Sequence, residues 1–131
     1  MPDETTHLRW HLAETEAGVG SDPTGNPRSN TVFTNGSMRL LVYAPRGEDL
    51  QTPHDQDEIY VIQTGSGWFV NGDDRHEFGP GDALFVHAGV EHRFEEFTDD
   101  LSMWVVFWGP DGGEEALNPN VLRPSQGPRY S

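Results

Sequence analysis

The residues of this sequence best suited to metal chemistry are His54, Glu58 and His92. Side chains of a strand alternate between its two faces, so an unbroken strand here puts Thr52, His54, Gln56, Glu58, Tyr60 and Ile62 on one side. That face begins polar and ends apolar, as expected of a strand running from a wet mouth into a dry core. It directs His54 and Glu58 into the same cavity. His92 stands at the start of a later strand segment, with Phe94 on its side. Two imidazoles and one carboxylate converging from two strands leave open coordination positions and suit a divalent transition metal, whether Fe, Mn, Ni, Co or Zn. The competing reading of His54 and Glu58 is a buried hydrogen-bonded pair that stiffens the fold. Tyr60 and His87 complete the chemical candidates. Tyr60 carries a hydroxyl on the cavity face that would orient a bound ligand. His87 is read as an acid or base, because imidazole titrates near neutrality, or else as a plain turn residue. His7, His11 and His76 are assigned no functional role.

These side chains need a scaffold of short strands. From Thr31 onward, apolar runs alternate with turn signals: Met38 to Ala44, Glu58 to Thr64, Gly67 to Val70, Arg75 to Phe78, Ala83 to Val86, His92 to Phe97 and Leu101 to Trp108. Seven strands at such spacing predict a sandwich or barrel. Gly65-Ser66-Gly67 and Asn71-Gly72-Asp73-Asp74 read as tight hairpin connections between antiparallel neighbours. Residues 1–30, rich in Glu, Asp, Gly and Pro, are expected to form an arm or lid with a helix-compatible piece over Leu8 to Ala17. Residues 31–110 are expected to form the barrel, and residues 111–131, with three prolines, an irregular tail. Trp104, Phe107 and Trp108 lie in a segment apolar on both faces. They are read as core or subunit packing rather than as a stacking platform for substrate.

A chain of 131 residues is the size of one domain. The formal charge of −14, with eight arginines and no lysine, repels polyanions and argues against nucleic acid as a partner. The absence of cysteine excludes disulfides, thiolate catalysis and zinc-thiolate sites, so any metal is held by nitrogen and oxygen. No run approaches the roughly 18 apolar residues of a membrane span, and the N-terminus lacks a basic region followed by an apolar stretch. A cytoplasmic protein with no membrane partner is expected.

The spacing of the candidate ligands resembles the two motifs of the cupin family. The first motif runs Gly, five residues, His-x-His, three or four residues, Glu, six residues, Gly. Here three residues separate His54 from Glu58, and six separate Glu58 from Gly65. The second motif runs Gly, five residues, Pro-x-Gly, two residues, His, then three residues and Asn. Gly81, five residues, His87-Ala88-Gly89, Val90-Glu91 and His92 follow it. The similarity covers roughly Arg39 to Trp108. Thr52 stands where the family has its first metal histidine, His87 where it has proline and Glu96 where it has asparagine; Gly47 approximates the early glycine.

The resemblance implies an all-β fold, a double-stranded β-helix or jelly-roll cupin barrel with irregular N- and C-terminal arms. It implies a divalent metal held by His54, Glu58 and His92, with the place lost at Thr52 filled by the Gln56 amide oxygen or by water. It further implies a metal-dependent enzyme acting on a small organic acid, sugar or aromatic compound as dioxygenase, isomerase, decarboxylase or cyclase. The fold does not select among these reactions. The alternative is a non-catalytic small-molecule binder that has kept the cavity and lost the metal. A homodimer is the implied assembly, through an edge strand, the N-terminal arm around Trp10 and the Trp104 to Trp108 segment.

Overall fold

Strand-forming residues dominate the part of the chain described by the structure, a computed structural model, which covers residues 29–49 and 51–114. The expected helix over Leu8 to Ala17, the arm before Ser29 with Trp10, and the tail beyond Glu114 lie outside the described residues. Eight strands form: β1 (Ser29–Asn35), β2 (Met38–Tyr43), β3 (Asp57–Thr64), β4 (Gly67–Asn71), β5 (Asp74–Phe78), β6 (Ala83–Val86), β7 (His92–Glu95) and β8 (Ser102–Trp108). Among the described residues there is no helix. A five-stranded sheet runs β1-β2-β8-β3-β6 and a three-stranded sheet runs β5-β4-β7, with antiparallel pairing throughout.

Alternation explains how the two sheets share a core. On β8, Met103, Val105 and Phe107 are buried while Trp104, Val106 and Trp108 are half-buried on the opposite face. On β3, Glu58, Tyr60 and Ile62 point inward, and on β7 His92 and Phe94 do the same. Tyr60 of the larger sheet packs edge-on against Phe69 and Phe94 of the smaller one, with ring centroids 5.7 and 5.0 Å apart. The aromatic centre of the core therefore lies directly beneath Glu58 and His92.

Three expectations are corrected. Seven strands become eight, because Asn35-Gly36-Ser37 turns β1 back onto β2, with Asn35 opposite Met38 and Gly36 at φ +60°. Gly65-Ser66-Gly67 is not a hairpin: β3 and β4 belong to different sheets, and this short link carries the chain across the core. Its glycines answer to close packing, since a Cβ on Gly65 would stand 2.6 Å from the Leu101 Cα and one on Gly67 would stand 2.7 Å from the Phe97 Cα. The sixth expected run, from His92, stops at Glu95 rather than Phe97, because Glu96 takes φ +47° and breaks the ladder. Asn71-Gly72-Asp73-Asp74 does close the β4–β5 hairpin, with Asn71 opposite Asp74.

Asp57 ties three segments together at one end of β3. Its buried carboxylate accepts the Ala88 amide at 3.0 Å and the Glu114 amide at 3.0 Å. Asp57→Ala leaves both donors without that acceptor and is expected to lower stability by about 2 kcal/mol. Hydrogen exchange at the Ala88 and Glu114 amides checks this: protection that survives the substitution removes the tether from the account.

Candidate metal centre

The expected parity face is interrupted, because regular pairing in this strand begins only at Asp57 and residues 51–56 form a loop. Loop geometry, not alternation, brings His54 in. It lies beside β8, its ring edge-on to Phe107 at 4.7 Å, and it is anchored where the His54 carbonyl accepts the Gly89 amide at 2.7 Å. Glu58 and His92 come from strands, one from each sheet, and both side chains are almost fully buried.

The three side chains converge. His92 Nε2 lies 3.1 Å from Glu58 Oε1, and His54 Nε2 lies 4.0 Å from Glu58 Oε2. One ligand atom from each lies within 4.8 Å of the others. Donors sharing one ion at about 2.1 Å stand roughly 3 to 4.2 Å apart, so the set is close to a coordination sphere. Glu58 Oε1 and His92 Nε2 are buried with no aligned hydrogen-bond partner among the described residues. Such orphaned atoms are costly in a core unless something else satisfies them, and a cation placed between them does so. The His92 Nδ1 sits 2.8 Å from the Val90 carbonyl, which fixes the proton on that nitrogen in the neutral ring and turns the Nε2 lone pair toward Glu58.

The electrostatics separate the two histidines. Burial holds His54 below its ordinary range, the neighbouring His92 and Arg39 push the same way, and the Glu58 charge opposes them. Burial also works against the charged form of His92, but the Glu58 carboxylate 3.1 Å away, helped by the Val90 carbonyl and the Asp49 charge, outweighs it and raises His92 above the usual imidazole value. Tyr60 is pushed well upward, first by burial and then by the Glu58 and Asp49 charges, so its hydroxyl stays a protonated donor.

A pocket of about 320 Å³ opens above the cluster. Leu41, Tyr43, Val105 and Phe107 form an apolar wall, and Gln51, Thr52, His54, Glu58 and Tyr60 supply its polar groups. The Arg39 guanidinium lies 4.5 Å from the centroid of the Phe107 ring, placing a positive charge beside that wall.

Two sequence candidates fall elsewhere. Gln56 does not face the cavity: its amide nitrogen donates to the Ser37 and Gly109 carbonyls at 3.1 and 2.8 Å, and its oxygen accepts from Arg39 at 3.1 Å. The break in the strand at residue 56 is the physical reason. His87 sits in the turn after β6, with Nδ1 2.9 Å from the Ala88 carbonyl, on the side where Asp57 and the turn at Gly113 pack, and it is not part of the pocket lining. Sequence reasoning missed Asp49. This carboxylate is 7% exposed and accepts from the Tyr43 hydroxyl, from Gln51 and from the Phe94 amide. An acidic residue in a loop carries no periodic signal, and nothing in the local sequence marks it as buried.

A profile of the cupin domain matches residues 39–108, more than half of the chain and the span that contains all three converging ligands. This chain belongs to the cupin family. An uncharacterized protein of Streptomyces coelicolor is 36% identical to this cupin over 77 residues, covering 59% of this chain and 73% of the relative. Among solved structures, a conserved Klebsiella pneumoniae protein with a double-stranded β-helix domain aligns with a TM-score of 0.64 at 16% identity, over 79% of this chain and 92% of that one. A cupin conserved-barrel protein from Salinispora arenicola aligns with a TM-score of 0.56 at 20% identity, over 76% of this chain and 87% of that one. At these identities the structural matches show the cupin fold. Within that fold, the structure brings His54, Glu58 and His92 to one place, and Thr52 lines the same pocket with a hydroxyl instead of an imidazole. Among the described residues no helix is long and apolar enough to cross a membrane.

Proposed function

We propose that this cupin is a metal-dependent enzyme that holds a divalent transition ion, Fe, Mn, Ni, Co or Zn, between His54, Glu58 and His92 and acts on a small organic molecule in the pocket above. The observation that carries the reading is the pair of buried, orphaned ligand atoms, Glu58 Oε1 and His92 Nε2, aimed at one another beside His54. When bound, the ion supplies Lewis-acid polarisation of a carbonyl, carboxylate or enolate oxygen, or dioxygen activation if it is iron. The chain itself selects and orients the substrate. A cavity of about 320 Å³ is at the small end of ligand pockets, which favours a compact organic acid or aromatic compound over a polymer. Leu41, Val105 and Phe107 exclude water, and Arg39 offers a charge for a substrate carboxylate. Tyr60 keeps its proton and acts as a hydrogen-bond donor, not as a base.

The replacement of the family's first histidine by Thr52 favours a second reading, a binder that retains the cavity without the ion. Elemental analysis of untagged protein separates the two. The enzyme reading expects stoichiometric transition metal in the wild type, or uptake on reloading, and its loss in His92→Ala. Wild-type protein that neither contains metal nor takes it up is the result that ends the metal reading and leaves the binder.

A further inference from the structure

The position vacated at Thr52 has a neighbour that reaches the cluster. Gln51 lies in the loop before β3, and its Oε1 stands 3.5 Å from His54 Nε2 and 2.8 Å from the Tyr60 hydroxyl. Which end of a glutamine amide faces a site is decided by its partners, and here the decision comes from Asp49. Its carboxylate accepts Gln51 Nε2 at 2.7 Å and the Gln51 backbone amide at 3.2 Å. An ionised carboxylate can only accept, so the amide nitrogen must face Asp49 and the oxygen must face the cluster. Asp49 is held in turn by the Tyr43 hydroxyl and by the Phe94 amide at 2.8 Å on β7, the strand that carries His92. The Gln51 oxygen is therefore oriented by a buried group anchored to the same strand as one ligand. Its 3.5 Å separation from His54 Nε2 matches the roughly 3.4 Å between donors that share a tetrahedral ion at about 2.1 Å.

We propose that Gln51 supplies the fourth metal donor in place of Thr52, with Asp49 as the positioning residue that turns the amide oxygen toward the ion. This rests on the metal reading above. An amide oxygen is a neutral, harder donor than imidazole, so the substitution shifts the site toward ions that accept oxygen.

Cobalt(II) added to the untagged full chain tests the assignment, because its visible spectrum reports donor number and type while competition with a chelator gives affinity. Gln51→Ala is expected to weaken cobalt binding by about 10- to 100-fold and to change the spectrum, and Gln51→Glu, which restores an oxygen donor, to recover part of the loss. Asp49→Asn keeps Gln51 but replaces the acceptor-only carboxylate with an amide, and is expected to move the spectrum in the same direction as Gln51→Ala. Gln51 stands on a half-exposed loop, so its two variants decide the matter even where Asp49→Asn fails to fold. Unchanged affinity and spectrum in Gln51→Ala, alongside lost binding in His92→Ala, overturn the Gln51 assignment alone. Cobalt binding that is absent in the wild type, or undiminished in His92→Ala, overturns it together with the metal reading.

Discussion

Glu58→Gln is expected to weaken metal binding by more than about 100-fold and to move the His92 titration from above the ordinary imidazole value to below it. The carboxylate is the main source of the raised value: burial alone lowers His92, and the Glu58 carboxylate 3.1 Å from its Nε2 does most to reverse that. Removing the charge while keeping the shape leaves burial, the largest influence on this ring, opposed only by the Val90 carbonyl and the Asp49 charge. The consequence for stability follows from linkage. In metal-free wild type, His92 holds its proton more tightly than an unfolded histidine does, so its contribution is full below about pH 6.5 and fades as pH rises through the raised folded value. In the variant the folded value lies below the unfolded one, and the contribution is instead lost as pH falls. His54, lowered chiefly by burial, loses stability on acidification in both proteins. Ring-proton NMR titration of His92, with chelator competition for affinity, provides the check. A His92 that titrates identically in both proteins would show that Glu58 is not its partner.

Gly65→Ala is expected to destabilise the protein by about 3 kcal/mol or more, a fall in Tm of roughly 12 °C or greater for a domain of this size. Two strains combine there. Gly65 takes φ +93°, and a Cβ would meet the Leu101 Cα at 2.6 Å, its amide nitrogen at 3.0 Å and Thr98 Oγ1 at 2.9 Å. Two of those contacts are backbone, which has no rotamer through which to retreat. Gly81 supplies the control, since it takes φ +87° yet an added Cβ meets no atom within 4 Å among the described residues. Gly81→Ala is expected to cost only the dihedral strain, about 1 to 2 kcal/mol. Calorimetry that finds equal losses at the two positions would remove the close approach of the β3–β4 link to Leu101 from the account.

The ligands show how far residue types and spacing reach. Glu58 and His92 were legible because each lies in or at the start of a strand, where alternation carries a side chain inward with its apolar neighbours Tyr60 and Phe94. His54 was picked out with them, but by parity along a strand that does not extend that far. The same parity put Gln56 in the cavity, and there it failed, because the loop turns its amide to Ser37 and Gly109.

By itself the sequence determined the strand class, the tight turn at Asn71 to Asp74 and the family motifs, since all of these are written in near-neighbour patterns of apolar, turn-forming and ligand-type residues. Tertiary structure alone decided that β3 and β4 part into different sheets, that a loop rather than a strand delivers His54, and that Asp49 is buried where it orients Gln51. Those outcomes depend on contacts between residues distant along the chain, such as Asp49 with Phe94 and Gly65 with Leu101, and no local periodicity records which distant backbone will come to rest against a given side chain.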